Sequence, residues 1–168
     1  MKPLICAILL AGIACAAAEA QVSTSITDVV RADGRLAARA MAFYDLGALQ
    51  VRVQAQGLAA GTYGVHFHAV GRCDGPDFES AGPHWNPAGR QHGSLNPQGH
   101  HLGDLPNLVV EADGGGRLEA ALADTPISAL ADADGTAVVI HAAPDDYRTD
   151  PSGNSGARIA CGVLAPPR

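Results

Sequence analysis

The chain has 168 residues, 17% of them charged and 47% apolar, with a formal net charge of −6. That length suits one domain with a sizeable core. The only lysine is Lys2, and so acidic a surface argues against nucleic acid or an anionic membrane as partner.

In chain order, the first segment, "MKPLICAILLAGIACAAAEA", carries one basic residue, an apolar run from Leu4 to Ala18, and Ala-Glu-Ala ending at Ala20. The pattern predicts a secretory signal over residues 1–20, cleaved after Ala20, because the run is too short and Ala-rich for a membrane span. Gly12 and Ile13 disfavour lipid attachment at Cys15, so no membrane association is expected after cleavage. Cys6 and Cys15 would leave with the signal. Cys73 and Cys161 would then sit in an oxidising compartment, where two cysteines are expected to pair; two buried free thiols are the alternative.

Eight short β-type runs follow, at 21–30, 35–46, 48–56, 62–70, 107–112, 117–122, 136–142 and 157–164, broken by Gly, Pro, Asp and Asn. In the third, Val51, Val53 and Ala55 alternate with Arg52, Gln54 and Gln56, a half-buried antiparallel pattern. The second, Ala-rich, also fits a helix. "EADGGGRLEA" reads as a hairpin with a Gly-rich turn. The eight runs predict an all-β domain over 21–168, an antiparallel sandwich or flattened barrel. Residues 71–106 and 143–156 lack periodicity, and loops of that length in a compact domain tend to be functional. "DADG" at 132–135 resembles the start of a calcium loop, but no glutamate follows at the required place, and it reads as a turn.

All seven histidines lie between positions 66 and 141. In "TYGVHFHAV" the alternation puts Val65, Phe67 and Ala69 on the core face and His66 and His68 on the outer one. Two imidazoles side by side suit a copper site if others join from elsewhere, and His141, closing the run "AVVI", offers one. "HHLGD" sets His101 three before Asp104, with His92 upstream; if His84 joins, three nitrogens and a carboxylate oxygen make an ordinary tetrahedral zinc set. A metal would also order a Gly-rich loop that has little to bury.

Six motifs, "GVHFH", "SAGPHWNP", "QHG", "HLGDLPNL", "VVIHAAPDD" and "GARIACGV", resemble the copper–zinc superoxide dismutase family in order and spacing. "HLGDLPNL" and the short "HAVGRC" connection resemble its bacterial, exported branch. The resemblance implies an eight-stranded antiparallel Greek-key barrel with two long functional loops. It implies one copper per subunit on His66, His68, His84 and His141, and one zinc on His84, His92, His101 and Asp104. His84 would bridge the metals as an imidazolate. Asp145 would link ligands of the two sites, Cys73 and Cys161 would form the disulfide, and Arg158 would guide the anion beside the copper. The implied reaction is dismutation of superoxide in the periplasm, by a monomer or a homodimer. His100 breaks the H-x-x-D spacing and reads as a surface residue. Trp85 is expected to pack under its loop. With no lysine near the channel, steering is expected to be weaker or to fall to Arg90 and Arg148. The competing readings are a metal-binding protein without turnover and, less compatible with a four-ligand zinc, a zinc hydrolase.

Overall fold

The structure is a computed structural model, and it describes residues 24–165. The expected signal at 1–20 lies outside the described residues. Nine strands follow one another: β1 (Thr24–Arg31), β2 (Leu36–Asp45), β3 (Ala48–Ala55), β4 (Gly61–Tyr63), β5 (Val65–His68), β6 (Leu108–Val110), β7 (Arg117–Ala123), β8 (Thr136–His141) and β9 (Arg158–Ala165). The Ala-rich run is strand β2, paired with β1 on one side and β3 on the other. Its intrinsic helix preference yields because Ala38, Ala40 and Ala42 alternate into the core between β-rich neighbours.

Seven strands form one antiparallel sheet in the order β5-β8-β9-β1-β2-β3-β7, and β4 pairs with β6 in a second. A bridge between Val110 and Gly116 joins β6 to the β7 side. The curled sheet thus returns towards its start, as a flattened Greek-key barrel does.

Eight strands were expected from the sequence and nine are present among the described residues, because the run at 62–70 divides at Gly64. There the chain leaves β6 as a partner and joins β8 instead. The Gly64 N–H donates to the Ala143 carbonyl, and its own carbonyl accepts from His141 N, both at 2.9 Å. A Cβ at this position would lie 2.9 Å from that of Ser155. The crossover therefore needs a residue without a side chain where the second long loop packs on the barrel.

The inner faces carry Leu49, Val51 and Val53 of β3, Val65 and Phe67 of β5, and Val138 and Ile140 of β8, all at most 2% exposed. On the outer face of β8 and β9, Ala137, Val139 and Cys161 pack against Phe78 and Ala81 of the first long loop. This is why β8 is buried on both faces, its inner face in the core and its outer face under the loop. The register places His66 opposite Val139, His68 opposite Ala137, and His141 opposite Arg158. Strand alternation thereby gathers three histidines and the arginine on one side of the barrel, beneath the loops. The Cys73–Cys161 disulfide, Cα atoms 5.6 Å apart, staples the first loop to β9. The DADG segment is a turn in which Asp132 Oδ1 accepts from the backbone N–H of Asp134 and Gly135.

Candidate metal centre

Six of the seven histidines converge under the loops, each at most 7% exposed. Four of them, His66, His68, His84 and His141, offer ring nitrogens that lie within 4.8 Å of one another. Three have their tautomer set by a fixed acceptor. His66 Nε2 donates to Asp145 Oδ2 at 2.8 Å, His68 Nδ1 to the Gly82 carbonyl at 2.8 Å, and His141 Nδ1 to the Gly156 carbonyl at 3.2 Å. Each then presents an unprotonated second nitrogen. Those nitrogens, His66 Nδ1, His68 Nε2 and His141 Nε2, together with His84 Nε2, are buried and without a hydrogen-bond partner among the described residues. Four buried lone pairs with no donor are costly unless a cation accepts them. Burial also holds His84 down at about 4 and His141 at about 3, with His68 well below the usual imidazole range. All three rings are therefore neutral near pH 7, the state in which an imidazole can bind a cation.

On the far side of His84 a second group forms around Asp104. Its Oδ1 lies 3.0 Å from His84 Nδ1, 3.0 Å from His92 Nδ1 and 3.1 Å from His101 Nδ1. His101 Nδ1 and His84 Nδ1 are 3.3 Å apart. Ligands about 2.0 Å from a tetrahedral ion are separated by roughly 3.3 Å, so these are close to the edges of a zinc-sized tetrahedron. His66 also comes within 4.8 Å of His84, His92 and Asp104. Its Nε2 is engaged by Asp145 and its free Nδ1 belongs with the first group, so His101, whose Nδ1 faces Asp104, completes the second. Where His92 Nδ1 faces a carboxylate oxygen, only a proton or a cation can sit between them. Although burial opposes it, the carboxylates of Asp104 and Asp145 push His92 up to about 9.

Asp145 joins the two groups. Its carboxylate accepts from His66 Nε2 through Oδ2 and from His92 Nε2 through Oδ1, at 2.8 and 3.0 Å. Gly153, at φ 63°, lies against it, and a Cβ there would collide with the carboxylate. Its neighbour Asp146 is exposed, and its carboxylate bonds only within its own loop, to Arg148, Thr149 and Asn154. His100 is exposed.

Arg158 lines the cleft above His68, His84 and His141. Its two terminal nitrogens donate to the Phe78 and Gly82 carbonyls, both at 2.8 Å, so the loop stapled by the disulfide holds the guanidinium. Trp85 is 5% exposed and packs on Phe67, ring centroids 6.4 Å apart, as expected of a residue under the loop. The cleft is also lined by Arg90, Asp132, Asp134 and Asp150. Arg148 is not among its lining residues, and its Nη1 donates to the Leu95 carbonyl.

Sequence reasoning passed over three residues that support this centre. Asp150 accepts the His92 backbone N–H at 2.6 Å. Asn107 and Tyr147 bracket Asp145. No spacing rule signals them, because they act on main-chain groups across loops. The histidine of "QHG" and the carboxylate of "APDD" carried the visible signal.

Fold and site together define a metal-binding β-barrel whose donor groups lie between the barrel wall and two long loops. The family model for copper/zinc superoxide dismutase matches residues 40–164. Among curated relatives, the chain is 40% identical over 148 residues to a Cu-Zn superoxide dismutase of Caulobacter vibrioides, covering 83% of this chain and 85% of the relative. It is 38% identical to Cu-Zn superoxide dismutase 1 of Aquifex aeolicus, covering 82% and 85%. It is 48% identical over 122 residues to the superoxide dismutase-like protein YojM of Bacillus subtilis, covering 69% of this chain and only 62% of that protein's length. A crystal structure of a SOD-like protein from Bacillus subtilis superposes with a TM-score of 0.77 at 41% identity, covering 83% of this chain and 97% of that one. The Cu/Zn superoxide dismutase of Brucella abortus superposes at 0.68 with 26% identity, covering 84% and 99%. The chain belongs to the copper/zinc superoxide dismutase family of oxidoreductases, in its bacterial branch.

Proposed function

We propose that the protein converts two superoxide anions and two protons to dioxygen and hydrogen peroxide. In this reading His66, His68, His84 and His141 hold copper, and His84, His92, His101 and Asp104 hold zinc, with His84 shared as an imidazolate. The observation that carries it is the set of four buried ring nitrogens without a protein partner, beside a tetrahedral cluster that uses the other nitrogen of one of the same rings. Copper in the four-histidine set would supply one-electron exchange with the substrate, which zinc does not.

The remaining work falls to the chain's own residues. Arg158, fixed by two carbonyls, presents its positive charge to the cleft and orients a small anion. His84 lines the same cleft, and its buried Nε2, which has no protein partner among the described residues, is the atom suited to hold one of the two protons the product needs. Asp104, kept ionised by His84, His92 and the Gly93 N–H against the effect of burial, anchors the other face of the His84 ring. Asp145 fixes the ring planes of His66 and His92.

Export is part of the same reading. Residues 1–20 act as a signal, residues 21–168 form one domain in the periplasm, and the disulfide is compatible with that oxidising compartment.

The test is superoxide turnover by the copper- and zinc-loaded protein, with metal contents measured on the same samples, beside metal-free protein. Copper-dependent turnover is expected. Stoichiometric copper and zinc with negligible turnover would sink the enzyme reading and leave a metal-binding protein on the same fold, an outcome kept in view by the dismutase-like name of the Bacillus relative.

A further inference from the structure

Tyr147 adopts a left-handed backbone conformation, φ 61°, that a bulky side chain rarely takes. Three hydrogen bonds hold it there, one within its own loop and two to other segments. Its N–H donates to Asp145 Oδ1 at 2.7 Å. Its carbonyl accepts from Leu95 N at 2.9 Å, in the loop that carries His92. Its hydroxyl oxygen accepts from the Asn107 N–H at 2.8 Å, just before β6. Asn107 closes the ring: its Nδ2 donates to the Asp145 carbonyl at 2.9 Å and its Oδ1 accepts the Asp145 N–H at 2.8 Å. There is no room for a Cβ on Gly93 against the Tyr147 carbonyl, so the two loops are packed backbone to backbone at this point.

The centre of this ring is the Asp145 carboxylate, whose side chain is fully buried and whose two oxygens serve His66 and His92. A rotation of that carboxylate would turn one imidazole in each of the two donor groups. The flanking Asp146 and Arg148 are exposed and contact neither group.

We propose that Tyr147, with Asn107, is a positioning residue for the metal centre: it locks the Asp145 carboxylate and so sets the ring planes of His66 and His92 together. This rests on the two-metal reading above. It goes beyond it by assigning the coupling of the two halves to a tyrosine hydroxyl and an asparagine side chain that touch no donor atom.

The experiment measures zinc affinity by chelator competition in copper-free protein, for the wild type, Tyr147→Phe, Asp145→Asn and the double variant. Loss of the hydroxyl is expected to weaken zinc about tenfold, within the range typical of groups that orient metal ligands. The metal-free fold, followed by circular dichroism, is expected to be retained. Because Tyr147 acts through Asp145, the double variant is expected to bind zinc no more weakly than Asp145→Asn alone. Unchanged affinity in Tyr147→Phe overturns the proposal. So do losses that multiply in the double variant, which would mean that Tyr147 acts on the fold independently of Asp145. A wild type that cannot hold zinc against the chelator instead overturns the two-metal reading on which the proposal stands. If Tyr147→Phe does not fold, Asn107→Ala takes its place in the same cycle, with the same outcomes.

Discussion

Arg158 and His68 share an acceptor: the Gly82 carbonyl oxygen lies 2.8 Å from Nη2 of the arginine and 2.8 Å from Nδ1 of the histidine. One main-chain oxygen therefore fixes both a proposed copper ligand and the proposed anion guide. Gly82 has φ 74°, and a Cβ there would lie 2.9 Å from a Val70 methyl, so the turn tolerates little else. The second arginine bond, to the Phe78 carbonyl, needs a planar fork that lysine lacks. Arg158→Ala and Arg158→Lys are both expected to lower kcat/KM for superoxide, by roughly ten- to a hundredfold for alanine. Copper content is expected to stay stoichiometric, because His68 keeps its own bond to Gly82. Full activity in Arg158→Ala would remove the arginine from the mechanism.

The mouth of the cleft sets Arg90 and Arg158 against Asp132, Asp134 and Asp150. Attraction of an anion by net local charge falls as salt screens it; repulsion does the opposite. With carboxylates outnumbering guanidiniums, kcat/KM is expected to be flat or to rise between about 10 mM and about 200 mM salt. Asp132→Asn together with Asp134→Asn is expected to raise it at low salt. A steep fall with salt in the unmodified protein would show that the deeper field of Arg158 dominates the approach.

Within "HH", only one histidine is built into the centre. His101 Nδ1 is 3.1 Å from Asp104 Oδ1, and His101 is 6% exposed, whereas His100 is exposed. His101→Gln is expected to lose most tight zinc binding in a chelator competition, while His100→Gln leaves it unchanged. The reverse ranking would reassign the ligand.

The sequence made the donor groups legible and left their supports hidden, for a physical reason. Strand alternation places His66 and His68 opposite Val65 and Phe67 whatever the partner strand, and the H-x-x-D spacing brings His101 to Asp104 within one turn of chain. Those are local geometries. Asp150, Asn107 and Tyr147 act between segments far apart in sequence, through backbone N–H and C=O groups that every residue possesses. Nothing in their side-chain type announces it. The same limit explains Gly64, where the strand divides because another loop packs on it. It covers Arg148 too: its charge is visible in the sequence, but its bond to the Leu95 carbonyl and its place outside the cleft lining are not.

The disulfide closes a loop of 88 residues and holds the segment that supplies the Phe78 and Gly82 carbonyls to Arg158. Cys73→Ser is expected to lower unfolding stability by about 2–5 kcal/mol. It should also reduce kcat/KM in protein that is still folded and metal-loaded, since the arginine loses its fixed seat. Stability that falls while kcat/KM is retained would show that the loop carbonyls hold Arg158 without the staple.

In the metal-free chain the buried histidines and the carboxylates set a pH optimum of stability. Burial keeps His84 and His141 at about 4 and about 3, and also depresses His66 and His68. These four are neutral when folded but take up protons near pH 6.5 when unfolded, so their contribution is present above about 6.5 and is lost as pH falls towards the folded values. Each proton so taken up contributes a slope of about 1.4 kcal/mol per pH unit. Asp104 and Asp145 are held low by His84, His92 and His66 despite burial, so they add to the acid-side loss only below their ordinary range near about 4. His92 has the opposite sign. Raised to about 9 by Asp104 and Asp145 against burial, it stabilises fully below about 6.5 and loses that contribution as pH rises through 9. Urea midpoints of metal-free protein are therefore expected to peak near pH ~6.5, with a steep acid limb and a shallower alkaline one. Zinc displaces the proton from His92 Nδ1, so the zinc-loaded protein is expected to lose the alkaline limb between pH ~6.5 and ~9. An alkaline limb that persists with zinc bound would mean that His92 Nδ1 does not face the metal, and would remove it from the ligand set.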